Sequence, residues 1–384
     1  MKNVVYILGA GSSQDFGLPL GSEIFDYAHR ILKVKEKFVA GVELTEAFNM
    51  AEKAMAYIYT NLPENKKKYP PFEEVLTFIW DCRKSDEWNL DNARLISLFE
   101  DERGVEQVFD AFVRMMGLTL AGSPLLDQRK NDIGTYTKFI KSLEFDKENI
   151  SFISLNYDVL LDNILGECVE QKIIEGYTYG VPLQEISDRV DSRQEGLYLL
   201  KPHGSLNLVF CGHAPGSNKF GFYYRTDDTV AAITGKLRCP DCKRIPKPLI
   251  IPPLYSKNDY IAETAVDTPP MNFRTTPKLY RDYVDNRIEQ ILRDADEITV
   301  VGYSLAAYDY DFRSLLMRSL MSNAKRDAVH LKLVTKGVES QIENLKSVYR
   351  HLAGAVTIEG QNGFYNYLKA RIRHTARSGG RIRQ

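Results

Sequence analysis

The chain has 384 residues, 44% of them apolar, with 50 Lys and Arg against 51 Asp and Glu. At about 150 residues per domain, this length predicts two domains or one domain with sizeable insertions, and the formal net charge of −1 excludes a whole-protein field that draws in nucleic acid or an anionic membrane. No run approaches the roughly 18 apolar residues of a membrane helix, the first residues do not read as a signal peptide, and five scattered cysteines predict a reduced, cytoplasmic protein without a disulfide framework.

The apolar, β-branched run from Asn3 to Leu8 breaks at once into Gly9-Ala10-Gly11-Ser12-Ser13, the pattern of a buried strand ending in a Gly/Ser turn. Four later runs share this form: Ile150 to Leu155, Gly196 to Lys201, Glu297 to Val301 and His330 to Thr335. Each is short and near-continuously apolar, as strands are when helices cover both sheet faces. The intervals between them are long enough for crossovers, so the spacing predicts an α/β fold with a Rossmann-like, doubly wound parallel sheet.

Between the first two strands the sequence reads as helices. Phe72, Val75, Leu76 and Ile79 follow i, i+3, i+4, i+7 spacing, and Val105, Val108, Phe109, Phe112 and Val113 are spaced similarly. Pro63, Pro70 and Pro71, with Lys66 to Lys68 between them, mark a solvated break. The expected organisation places residues 1–30, 149–208 and 277–370 in the sheet domain and 31–148 in a helical insertion, a lid or an assembly surface. Residues 209–276 form a small cysteine-bearing module, and 371–384, with five arginines, a basic mobile tail.

Ligands of open α/β sheets bind outside the carboxyl ends of the strands, where strand order reverses. The residues just after the predicted strands are Gly9-Ala10-Gly11-Ser12-Ser13, Asn156-Tyr157-Asp158, Pro202-His203-Gly204-Ser205-Leu206-Asn207 and Gly302-Tyr303-Ser304-Leu305. In a parallel sheet these four clusters converge on one crevice. A glycine turn there lets backbone N–H groups approach a pyrophosphate, although such a turn is also compatible with a purely structural role. Gln14 stands where the dinucleotide motif G-x-G-x-x-G has its last glycine, which disfavours an ordinary dehydrogenase. Asn156 and Asp158 also suit an Asx-type turn or a helix cap, and His203 a structural histidine.

Together these segments resemble the sirtuin superfamily. Gly9-Ala10-Gly11-Ser12-Ser13 is similar to its G-A-G-x-S phosphate turn, Asn156-Tyr157-Asp158 to its N-x-D motif, Pro202-His203-Gly204-Ser205-Leu206 to the segment carrying its catalytic histidine, and Gly302-Tyr303-Ser304-Leu305 to its G-T-S-L turn. The resemblance spans roughly Met1 to Leu20 and Ile150 to Val334. Sirtuin deacylases continue with G-I-P-D-F-R, where this chain has Gly17-Leu18-Pro19-Leu20-Gly21-Ser22, and they carry an F-G-E peptide-binding strand where it has Pro248-Leu249-Ile250-Ile251-Pro252-Pro253. Prolines cannot donate ladder hydrogen bonds to an added peptide.

That combination resembles the sirtuin-like domains of bacterial anti-phage defence systems. Those domains also carry an Asp and a Phe after G-Y-S-L, here Asp309 or Asp311 and Phe312. The resemblance implies an NAD+ hydrolase (NADase) that depletes NAD+ as an effector. It also implies a homo-oligomer working with a separate partner such as a HerA-type hexameric ATPase. In that reading His203 is the general base, Asn156 positions ribose and water, and Asp158 holds the carboxamide or stabilises charge near the ring. Gly9, Ala10, Gly11 and Ser12 bind pyrophosphate, Gly302 and Ser304 lie on the adenosine side, and Thr335, followed by Lys336, is a further candidate for the adenine ribose. The competing readings are an NAD-dependent protein deacylase and a non-catalytic module that senses NAD+ or a related nucleotide.

Cys239-Pro240-Asp241-Cys242 has zinc-knuckle spacing, and with Cys211 and His213 makes a candidate Cys3His structural zinc site. Buried free thiols are the alternative. Cys82 and Cys168 have no partners at metal-ligand spacing.

Overall fold

The computed structural model describes residues 1–58, 69–70, 72, 75–76, 79, 104–126, 131–181, 197–210, 220–222, 230–231, 233–236, 238, 247–251, 272–305, 309–336, 343, 346, 349–350, 355–360 and 362–379. In chain order the elements are β1 (Lys2–Leu8), α1 (Ala10–Gln14), α2 (Ile24–Leu32), α3 (Gly41–Ile58), α4 (Gly104–Gly122), α5 (Ile133–Lys141), β2 (Glu148–Ser154) and α6 (Leu160–Glu170). There follow β3 (Tyr177–Thr178), β4 (Leu197–Leu200), β5 (Gly204–Phe210), β6 (Phe220–Phe222), β7 (Lys247–Ile250), α7 (Asn272–Asp294), β8 (Glu297–Val301), α8 (Tyr310–Met321), β9 (His330–Val334), β10 (Ala355–Gly360) and α9 (Phe364–Gly379).

Seven strands form one sheet in the order β10-β9-β8-β1-β2-β4-β3, and every pairing is parallel. The chain leaves β1 toward β2 on one side and returns to β8 on the other, so strand order reverses beside β1. Register sharpens this. Leu8 pairs with Ser154 and Val301, and Val301 with Val334, so four strands end in one row. The doubly wound α/β fold is therefore the one the apolar runs predict.

Five consecutive residues of β1, Val4 to Leu8, are buried, as expected for a central strand covered on both faces. Tyr6 stacks on Phe152 at 5.3 Å and meets the edge of Phe139 on α5 at 5.9 Å. A second core joins α2, α3 and α4, where Phe25 meets Phe112 edge-on at 5.9 Å among Ala28, Ala47 and Ala51. Phe72, Val75, Leu76 and Ile79 are buried in it, as their spacing predicts. Each such side chain contributes about 1.5–3 kcal/mol of apolar burial. Val159 and Leu206, which follow the Asp158 and His203 segments, also belong to this core, so the helices are seated directly on those two loops.

Several features depart from the sequence reading. The expected boundary at residue 31 falls inside α2, and α5 packs in the core of the sheet through Tyr136, Phe139 and Ile140. Gly204–Phe210, not among the predicted strands, is a strand flanked antiparallel by β6 and β7 in a second, three-stranded sheet. The expected basic tail begins inside α9, which continues to Gly379. Ile372 still packs against the sheet core, and Ala and Arg are strong helix formers, so the helix extends past its apolar stripe. Of the proline-lysine break, Pro63, Lys66 to Lys68 and Pro71 lie outside the described residues, as do Cys82, Cys211, His213, Cys239 and Cys242.

Candidate active site

A cavity of about 490 Å³ opens at the carboxyl ends of β1, β2, β8 and β9, beside the reversal of strand order. Residues from all four predicted clusters line it, including Gly9, Asn156, Asp158, His203, Gly302 and Ser304. Thr335 and Lys336 line it as well. The helices supply an apolar wall of Ile24, Phe72, Met116 and Leu120.

The glycines of the first and fourth clusters serve one another before any ligand. Gly9 N–H donates to Val301 O at 2.8 Å and Gly11 N–H to Gly302 O at 3.1 Å. Gly302 has φ of +59°, and a Cβ there would lie 2.5 Å from both Gly11 C and Ser12 N. Only glycine fits that contact in that conformation. The two turns thus form one floor, whose Gly9, Gly11, Ser12 and Gly302 amides are already engaged with backbone carbonyls. Ala10, exposed at the first position of α1, and the hydroxyl-bearing Ser304 on the wall are donors offered to a ligand, while the Ser13 hydroxyl bonds the Asp158 carboxyl.

Ser12 lies behind the turn. It is buried, and its hydroxyl donates to Gly9 O at 2.7 Å. Asn156 Nδ2 lies within hydrogen-bond distance of Gly9 O, Ser12 Oγ and Ser13 Oγ, at 3.1, 3.2 and 3.0 Å. With the amide nitrogen tied to the turn, Asn156 presents a carbonyl oxygen, an acceptor suited to a hydroxyl or a water. Asp158 Oδ1 accepts Leu160 N–H at 3.0 Å, an Asx-type turn just ahead of the Val159 N-cap of α6, so this turn and a place on the cavity wall coexist. Burial raises the Asp158 carboxyl above the ordinary range, while Lys201, the Leu160 amide and the Ser13 hydroxyl pull it back.

His203 is 5% exposed, at a turn closed by Gly204 N–H donating to Lys201 O at 2.9 Å. Its Nε2 lies 3.3 Å from Asp309 Oδ2, and the Tyr303 hydroxyl donates to the same oxygen at 2.9 Å. Burial and then the Asp309 charge push the Tyr303 phenol well above its ordinary range, so it stays a donor. A carboxylate opposite Nε2 favours the tautomer protonated there and makes Nδ1 the basic nitrogen. Leu305 holds a left-handed φ of +53° between the Tyr303–Ser304 step and Asp309, a strained conformation of the kind retained at functional loops.

At the β9 end of the cavity, Asp15 accepts Tyr365 N–H at 3.0 Å and lies 4.0 Å from Lys336. Lys336 is the one lysine or arginine among the described lining residues. The motif alone leaves Asp309 and Asp311 as alternatives beside Phe312; Asp309 is the neighbour of His203, and Phe312 packs edge-on against Tyr303 at 5.6 Å. Nothing local in the sequence links Asp15, or the particular helical residues of the apolar wall, to the motifs.

Among the described residues, no group of three or more His, Cys, Asp or Glu is arranged to hold a metal ion, and no helix is long and apolar enough to cross a membrane. Among solved structures the chain is similar to Sir2 in complex with the inhibitor EX-527, 2'-O-acetyl-ADP-ribose and a deacetylated p53 peptide. The two share 13% sequence identity over 98% of this chain and 94% of that one, with a TM-score of 0.35. No protein-family model and no curated protein matches the chain.

Proposed function

We propose that the chain is an NAD+ glycohydrolase, cleaving NAD+ to nicotinamide and ADP-ribose in this cavity. The observation that carries the reading is the convergence of Asn156, Asp158 and an Asp309-bound His203 on one cavity where the strand order reverses. A non-catalytic nucleotide sensor has no need of a histidine held in one tautomer by a buried carboxylate.

The bond between nicotinamide nitrogen and ribose C1' breaks with its electron pair leaving on the nitrogen, which is cationic beforehand and needs no acid. Water oxygen then bonds to C1', and its proton passes to His203, directly or through a ribose hydroxyl. The protein's work is to orient ribose and water and to stabilise charge at an oxocarbenium-like transition state. Asn156 supplies an acceptor for ribose or water, and Asp158 a carboxylate beside the developing positive charge. Asp309 supports the imidazolium that forms, as a buried carboxylate does for a histidine base. The Ala10 amide at the start of α1 meets the pyrophosphate, with Gly302, Ser304 and Thr335 toward adenosine.

The motif resemblance supports extending the reading to an NAD+-depleting effector of anti-phage defence that acts as a homo-oligomer with a HerA-type partner. Incubating the chain with NAD+ and following nicotinamide, ADP-ribose and an added acetylated peptide tests the enzymatic core. Hydrolysis predicts equal nicotinamide and ADP-ribose with the peptide untouched; deacylation predicts nicotinamide release only with peptide.

A further inference from the structure

Lys201 is fully buried, at 0% exposure, and beyond its pull on the Asp158 carboxyl its side chain has no part in the site described above. Its ammonium donates to Asp158 O at 2.6 Å and to Asp162 Oδ2 at 3.0 Å. Its carbonyl accepts Gly204 N–H at 2.9 Å, closing the turn that carries His203, and the Tyr280 hydroxyl at 2.7 Å. Asp162 is held in turn by the Tyr179 hydroxyl and by Asn207 Nδ2, the latter at 2.9 Å. One side chain and its own carbonyl thus tie the Asn156–Asp158 loop to the His203 turn, against α6, α7, β5 and Tyr179 just after β3.

We propose that Lys201 is a positioning residue that clamps these two loops at a fixed separation, so that Asn156, Asp158 and His203 are presented as one unit. Packing alone does not account for it. Burying an ion pair costs several kcal/mol per ion before its partners repay it, and apolar replacements of such pairs are often neutral or stabilising. What the ion pair adds over a methionine is direction: an ammonium fixes the Asp158 carbonyl and the Asp162 carboxylate at hydrogen-bond range, whereas an apolar chain leaves both free to shift. A displacement of about 1 Å at a reacting group can cost about a hundredfold in rate.

The proposal rests on the NAD+ hydrolase reading, and the test separates the two. Lys201→Met alone strands the Asp162 charge, so the informative variant is Lys201→Met with Asp162→Asn, which keeps shape and removes both charges. We expect it to fold with a cooperative melting transition, because no buried charge is left unpaired. Its kcat for NAD+ falls about a hundredfold, with KM within about threefold. Amide exchange at Gly204 and at Leu206, whose N–H donates to Tyr157 O across the two loops at 2.9 Å, becomes faster by about tenfold or more. A kcat within about threefold of the unmodified chain, or unchanged exchange at both amides, overturns the clamp. If the unmodified chain cleaves no NAD+, the hydrolase reading fails by itself, and the exchange measurement alone decides the clamp.

Discussion

His203 and Asp309, 106 positions apart in the chain, meet through Nε2 and Oδ2 at 3.3 Å. This contact turns a histidine in a cavity into a histidine with a defined basic nitrogen. Asp309→Asn is expected to lower kcat for NAD+ by about a hundredfold or more, the scale of acid/base help, with KM little changed. Tyr303→Phe removes one hydrogen bond to the same carboxylate and is expected to cost about tenfold, in line with a bond to a charged group. Nicotinamide release by both variants checks this; an Asp309→Asn enzyme with full kcat removes Asp309 from the mechanism.

Gly302→Ala should fail for a backbone reason. The added methyl meets Gly11 C and Ser12 N at 2.5 Å in a left-handed conformation. Strain of about 1–2 kcal/mol adds to an overpacking cost of about 1–3 kcal/mol. Thermal melting should show a loss of several degrees, together with weaker nucleotide binding as the floor of the cavity opens. An unchanged melting temperature contradicts the packing of the two turns.

Asp158 gives a pH signature. Its carboxyl is raised chiefly by burial, so the folded chain binds that proton more tightly than the unfolded chain. Stability on this account falls as pH rises from the ordinary value of 3.8 through the raised folded value, and the loss is complete above it. Asp158→Asn is therefore expected to match or exceed the parent in stability at neutral pH. The difference closes in acid below the ordinary value, while turnover falls by about tenfold or more. Urea midpoints against pH check it; a variant less stable than the parent at neutral pH contradicts it.

Lys336, with its side chain 68% exposed and 4.0 Å from Asp15, should act on binding alone. Lys336→Ala is expected to raise KM for NAD+ by about two- to fivefold, the range of exposed charge interactions, and to leave kcat unchanged. A fall in kcat with constant KM places Lys336 elsewhere in the cycle.

The central strands are legible because burial on both faces imposes near-continuous apolar runs, unbroken in Val4 to Leu8 and interrupted only by Glu297 and Thr299 in Glu297 to Val301. The sheet edges are not. β3 has only two residues, and β10 alternates exposed and half-buried positions until Gly360. β5 was hidden by Asn207, a fully buried polar residue in mid-strand whose purpose is the Asp162 network. Asn156, Asp158 and His203 were legible as motif residues on the wall of one cavity. Ser12 was placed there too, but its hydroxyl is spent on Gly9 O and Ser13 takes the wall position. Asp309 and Lys201 owe their roles to contacts made only by folding, which adjacent residues do not disclose.

The most direct measurement follows NAD+ with the unmodified chain and with His203→Ala, quantifying nicotinamide and ADP-ribose together. The account predicts equal amounts of the two products without any acylated substrate, and a loss of about a hundredfold or more in the variant. Nicotinamide release that requires an acyl-lysine peptide, or a His203→Ala chain that cleaves NAD+ at the parent rate, contradicts it.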